Sequence, residues 1–291
     1  MNNLKKLGLA VAGSTLVASS AYAGALDVSG NAKISMKSAD DDEVTGNSFA
    51  MDKGIAFTGS GELDNGYSVS YLYKMSDSSH TSSKVSIDMG DAGVFGVGRG
   101  NSGAGIRTVR YKIPTAGEEV WDDTDTDDNG IVGTGDTNAL YYSNSFGGVG
   151  FSGSYHKDDD TEKSFALTYS GLMDGLTLGY GNGEKGSTQD QMTMFVTYSM
   201  GGLTVGYQVA ELDNSGATAD EDATGVGVSF AVNESLSVSY GIWDVDMGTG
   251  TDEESSGVSA SYTSGGMTVG LVSNETAVSY THLTLPTNRE V

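Results

Sequence analysis

The sequence has no cysteine, so no disulfide can brace the fold. Proline is nearly absent, with 2 against 43 glycines, and the glycines keep no three-residue period, which excludes a collagen-like chain. Basic residues are scarce as well. Fifteen Lys and Arg face 39 Asp and Glu, and a net charge of −24 repels nucleic acid and excludes it as a partner. Beyond the N-terminus no run reaches the roughly 18 consecutive apolar residues of a membrane helix. That absence says nothing of a β-barrel, whose strands alternate and leave little trace in hydropathy.

What is present begins with MNNLKKLGLAVAGSTLVASSAYAG. Lys5 and Lys6 supply a positive start, Leu7 to Val17 an apolar stretch, and Ala21-Tyr22-Ala23 a small-x-small cleavage site. This ordered set reads as a secretory signal peptide over residues 1–23, with the mature chain starting near Gly24.

From Leu26 to Lys37 the chain alternates strictly. Leu26, Val28, Gly30, Ala32, Ile34 and Met36 take one parity; Asp27, Ser29, Asn31, Lys33, Ser35 and Lys37 take the other. A period of two is the mark of a strand with one apolar and one polar face. The pattern returns in Tyr67/Val69/Tyr71/Tyr73, Met192/Met194/Val196/Tyr198, Leu203/Val205/Tyr207/Val209 and Leu236/Val238/Tyr240/Ile242, among others. The polar faces are mostly Ser, Thr, Gly and Asn.

The connections alternate too. Leu63-Asp-Asn-Gly66, Phe146-Gly-Gly148, Met200-Gly-Gly202 and Ser264-Gly-Gly266 are tight enough for hairpins. Longer acidic stretches separate them, such as Ala39 to Glu43, His156 to Asp160 and Glu211 to Thr224. Small polar inner faces argue against a β-sandwich, which needs bulk between its sheets. Varying hairpin lengths argue against a solenoid. The reading is an all-β chain: a transmembrane, up-and-down, antiparallel β-barrel. About fifteen strands precede the tail, one short of the even number that single-chain bacterial barrels use.

At this point the chain resembles the general-diffusion porins of Gram-negative bacteria, most closely the alphaproteobacterial type. The resemblance covers residues 24–276 and rests on Leu26-Asp-Val-Ser-Gly-Asn-Ala-Lys33, Phe95-Gly-Val-Gly-Arg99 and Asn144-Ser-Phe-Gly-Gly-Val-Gly-Phe-Ser-Gly-Ser-Tyr155. It implies an outer-membrane homotrimer of sixteen-stranded barrels, surrounded by lipid and passing small hydrophilic solutes without enzymatic chemistry. It also implies a long third loop folded inward.

The third long connection, residues 100–137, fits that constriction loop and exceeds ordinary loop lengths. It carries Arg107, Arg110 and Lys112, then Glu118, Glu119, Asp122 and Asp123. Lys33, Lys37 and Lys74 lie on polar strand faces, and with Arg99 they are candidates for a basic wall facing the acids. Opposite charges across a narrow lumen would select solutes by a transverse field.

Within this connection Asp125, Asp127, Asn129, Gly130, Ile131 and Asp136 fall at positions 1, 3, 5, 6, 7 and 12 of a calcium loop. The pattern departs from an EF-hand: position 12 is Asp, position 9 is Gly133, and no helix pattern flanks it. The expectation is a structural calcium ion pinning the loop, with no other cofactor required.

Other motifs carry less. Gly98-Arg-Gly100-Asn-Ser-Gly103 fits G-x-G-x-x-G, but no helix pattern follows. His80 and His156 lie apart, and no zinc spacing or Ser-His-Asp set can be assembled. Two alternatives stay open on the residues alone. One is a secreted soluble or surface-attached β-protein using structural calcium loops; the other is an outer-membrane barrel hydrolase.

The tail, residues 277–291, departs from the rhythm. Val278-Ser-Tyr-Thr-His-Leu-Thr-Leu-Pro-Thr287 can be reverse-translated into the transposase end and adaptor of sequencing libraries. The expectation is a non-native, adaptor-derived tail, with the last native strand missing or replaced. On that reading the first and fifteenth strands would be left as open edges.

Overall fold

A computed structural model describes residues 26–39, 49–99, 104–117, 119, 138–157, 161–216, 220–246, 248, 253–274 and 278–285. The signal segment lies outside them. Sixteen strands follow one another: β1 (Asp27–Ala39), β2 (Phe49–Glu62), β3 (Ser68–Ser76), β4 (Ser79–Asp88), β5 (Val94–Arg99), β6 (Ala139–Phe146), β7 (Val149–Lys157), β8 (Thr161–Tyr169), β9 (Leu176–Lys185), β10 (Gln189–Met200), β11 (Leu203–Asn214), β12 (Glu221–Ala231), β13 (Leu236–Asp246), β14 (Glu253–Ser264), β15 (Met267–Asn274) and β16 (Val278–Leu285). The only helical pieces among the described residues are 3-10 turns at Gly90–Ala92 and Gly105–Val109.

Each strand pairs antiparallel with its neighbours in the chain, and β16 pairs with β1, closing the barrel. β16 stands between Ala32–Ala39 of β1 and Thr268–Ser273 of β15. The expectation of open edges at the first and fifteenth strands is therefore corrected. Fifteen strands do precede the tail, but residues 278–285 take the sixteenth place. The reason is that a ladder is built from backbone N–H and C=O groups, and an alternating eight-residue segment offers enough of both.

The two faces of the wall follow from the period of two. On β10 and β11, Thr193, Phe195, Gln208 and Ala210 point inward and are buried, whereas Met194, Val205 and Tyr207 point outward and are exposed. Leu140, Phe151, Phe165, Val226, Tyr240, Val258 and Leu271 continue this exposed apolar surface around the barrel. In water such a surface is unfavourable; in hydrocarbon it is matched to its solvent. Hairpin turns gather at one end. Gly147 and Gly148, at φ 58° and 82°, give the left-handed pair that a two-residue hairpin turn needs. The long connections emerge at the other end.

The apolar core lies inside the barrel, against one part of the inner wall. Ile106, Val109 and Ile113 of the β5–β6 connection pack with Ala166, Phe195, Ala210, Ala223, Trp243 and Val245. The wall facing that connection is thus more apolar than the Ser, Thr and Asn of its neighbours suggest.

Candidate pore constriction

The described part of the β5–β6 connection, Ala104 to Gly117, lies along the inner faces of β7 to β14. Small inward residues leave it room. On β9, a Cβ at Gly181 would stand 2.7 Å from both Ile106 Cγ1 and Val109 Cγ2. On β11 and β12, side chains at Gly206 and Gly227 would overlap Pro114 and Ile113. These inward glycines form a trough.

Polar groups on the wall then fix the segment. Gly105 N–H donates to Ser152 Oγ at 2.9 Å and Ile106 N–H to Ser164 Oγ at 3.0 Å. Gly105 itself sits at φ 61°, and a Cβ there would meet Ser154 Oγ at 2.5 Å, so both conformation and space call for glycine. Further along, Lys112 N–H donates to Gln208 Oε1 at 2.9 Å, Ala116 N–H to Ser239 Oγ at 2.9 Å and Gly117 N–H to Ser259 Oγ at 3.1 Å. A segment with little regular structure thus has five of its backbone donors satisfied by side chains of the wall.

The charges on this segment are cationic. Arg107 is half-buried and Arg110 buried, its guanidinium carbon 4.1 Å from the Tyr111 ring centre. Lys112 is half-buried with Nζ 5.8 Å from the Phe195 ring, and desolvation lowers its pKa. Glu119 is described and half-buried. Glu118, Asp122 and Asp123 lie outside the described residues, as do Asp125, Asp127, Asn129, Ile131 and Asp136 of the expected calcium loop. Among the described residues no group of three or more His, Asp or Glu could hold a metal ion.

On the inner face across from the segment, Lys33 stands opposite Asp52, and Lys74 opposite Ala56 and Ser82. Lys37 is in β1, in register with Tyr280. Arg99 is a correction. It follows Phe95 and Val97 on the exposed, outward parity of β5, while Gly96 and Gly98 take the inward one, so Arg99 does not line the lumen. Sequence reasoning missed Lys84. It lies on the inward parity of β4 with Ser82 and Ser86, Nζ 5.3 Å from the Tyr141 ring centre. Its signal was present in the alternation Ser82-Lys84-Ser86-Asp88.

A closed barrel with an apolar outer band and a charged, partly filled lumen defines a class: an outer-membrane diffusion channel. The sequence profile of the Gram-negative porins matches residues 8–273, and the chain belongs to that family. No curated protein sequence matches. Among solved structures, the chain is similar to a porin refined at 1.8 Å, with TM-score 0.68 and 20% identity, covering 90% of this chain and 99% of that one. It is similar to a multiply substituted Rh. blastica porin, with TM-score 0.68, 16% identity and coverage of 89% and 98%. It also matches a structure from work on the asymmetric conductivity of engineered proteins, with TM-score 0.70, 15% identity and coverage of 90% and 99%. At such identities the likeness is one of fold. The family makes the chain an outer-membrane channel protein without enzymatic activity, and the soluble and hydrolase readings give way to it.

Proposed function

We propose that this porin passes small hydrophilic solutes and ions through a lumen narrowed by residues 100–137, working as a homotrimer. One observation carries the reading: five backbone amides between Gly105 and Gly117 donate to side chains of the inner wall. A connection held in this way keeps its position while solutes pass. Charges at the narrowing act on solutes through a low-dielectric surround. Cations on the described segment and on β1, β3 and β4 would attract anions, and the acids Glu118, Glu119, Asp122 and Asp123 would set the opposing sign. The calcium site is proposed on spacing alone, as a clamp on Asp125 to Asp136.

The test is single-channel recording in planar bilayers with the purified protein. Discrete ohmic steps are expected, in groups of three if the unit is a trimer, with a larger step when residues 104–137 are replaced by a short Gly-Ser linker. Absence of channel steps from folded, heat-modifiable protein would overturn the reading. Calcium titration of the same protein should raise the resistance of the connection to proteolysis if the clamp exists.

A further inference from the structure

Gln208 is a wall residue that both accepts from and donates to the backbone of the segment. It lies on the inward parity of β11 and is fully buried. Its Oε1 accepts the Lys112 N–H at 2.9 Å. Its Nε2 stands 2.9 Å from Val109 O, 2.8 Å from Arg110 O and 2.9 Å from Thr193 Oγ1. An amide nitrogen carries two hydrogens, so three acceptors share them. Thr193 Oγ1 donates its own hydrogen to Val209 O at 2.8 Å, which leaves its lone pairs turned to the carboxamide.

The serines of the wall differ. Ser152, Ser164, Ser239 and Ser259 each accept one backbone N–H from the segment, and Ser259 Oγ also lies 3.4 Å from Thr115 Oγ1. Gln208 grips the backbone turn from Val109 to Lys112 on both its donor and acceptor sides. That turn is where the segment leaves the 3-10 helix, and it carries Arg110 and Lys112. A carboxamide that fixes three backbone groups of a four-residue turn also fixes the directions in which its side chains leave.

We propose that Gln208 is a positioning residue of the channel: by holding the Val109–Lys112 turn it sets both the width of the lumen and the placement of the Arg110 and Lys112 charges within it. The proposal rests on the reading of residues 100–137 as the constriction. A merely structural glutamine would affect folding and leave the permeation properties of the folded protein unchanged.

The experiment records single-channel conductance and the zero-current potential across a KCl gradient for wild type, Gln208→Met, Gln208→Glu, the Gly-Ser replacement of residues 104–137, and an Arg110→Gln/Lys112→Gln double variant. Methionine keeps the length and removes every hydrogen bond. Expected for folded Gln208→Met are a higher conductance, added open-channel noise, and a zero-current potential displaced from wild type toward the double variant. Glutamate keeps the acceptor for Lys112 N–H and should fall between wild type and Met. Thr193→Val, which removes the hydroxyl orienting Nε2 together with its bond to Val209 O, gives the same shifts in smaller measure and serves if Gln208→Met does not fold. If the Gly-Ser replacement raises conductance while Gln208→Met and Thr193→Val match wild type, the role of Gln208 is wrong and the constriction stands. If the replacement leaves conductance unchanged, the constriction itself is wrong, and the proposal falls with it.

Discussion

Ile113 fills the volume that a side chain at position 225 would need. A Cβ on Gly225 would overlap both the Ile113 side chain and the ring of Trp243. Ile113 and Trp243 are 6% and 0% exposed, so neither has free space to move into. Overpacking of this kind costs about 1–3 kcal/mol. Gly225→Ala should leave the barrel intact and loosen the connection, which limited proteolysis between residues 100 and 137 would detect. Gly61→Ala, where a Cβ meets nothing within 4 Å, is the matched control and should behave as wild type.

The outward and inward faces should respond oppositely to charge. Val226 lies outward in β12, between Tyr207 and Ile242, and is 51% exposed. Arginine there faces hydrocarbon and should cost about 2–4 kcal/mol near the membrane midplane. Ser70 lies inward, its hydroxyl 2.6 Å from Ser86 Oγ. Ser70→Arg forfeits that bond, a loss of about 1 kcal/mol, and its charge stays in water. Denaturant titration in lipid vesicles should rank Val226→Arg well below Ser70→Arg. Bilayer recording should show the zero-current potential moving toward anion preference for Ser70→Arg.

The strands were legible because a wall between lipid and water forces a period of two, and residues such as Tyr207, Val209, Thr204 and Gln208 obey it. Legibility failed where one parity is glycine. In Phe95-Gly-Val-Gly-Arg99 the inward residues have no side chain to show their polarity, so Arg99 was given to the wrong face. Trp243 and Phe195 failed for another reason. They are apolar residues on the inner parity, and what makes them stable there is a connection more than 80 residues away in the chain. No local pattern can carry that information. The glycines at 181, 206, 225 and 227 read individually as abundant small residues; only the register of β9, β11 and β12 joins them into a trough.

Lys112 should lose its charge below the range of an ordinary lysine. Desolvation is the cause, since its ammonium is half-buried beside Phe195. The folded pKa lies under the unfolded one, so between the two the unfolded chain binds more protons. Stability therefore rises as pH increases through that window, and the cost of holding a desolvated cation is fully present below it. The permeation consequence has the opposite flavour, because loss of this charge weakens the attraction for anions. The zero-current potential should shift toward cation preference across the alkaline limb, and Lys112→Gln should remove that step. An unchanged alkaline limb in Lys112→Gln would show that the charge does not reach the lumen.

Closure of the barrel depends on β16, whose contribution can be stated from the backbone alone. Ser35 stands opposite His282, Lys37 opposite Tyr280 and Ala39 opposite Val278. Antiparallel partners bring Cβ atoms to within about 4.5–5.5 Å, close enough for a disulfide after small adjustment. The chain has no native cysteine, so a pair introduced by Ser35→Cys and His282→Cys reports on this contact without competition. Oxidation should give a species covalently closed between its first and last strands, with altered mobility in SDS that reductant reverses. Removing residues 278–291 should leave β1 and β15 with unsatisfied edges in lipid and abolish heat-modifiable folding. If the cysteine pair does not form, yet the shortened chain still folds, then β16 is not the closing strand, and β1 must meet β15 directly. That outcome would leave residues 278–291 without a structural role. A pair that forms in high yield would show that residues 278–285, whatever their origin, complete the barrel through main-chain groups.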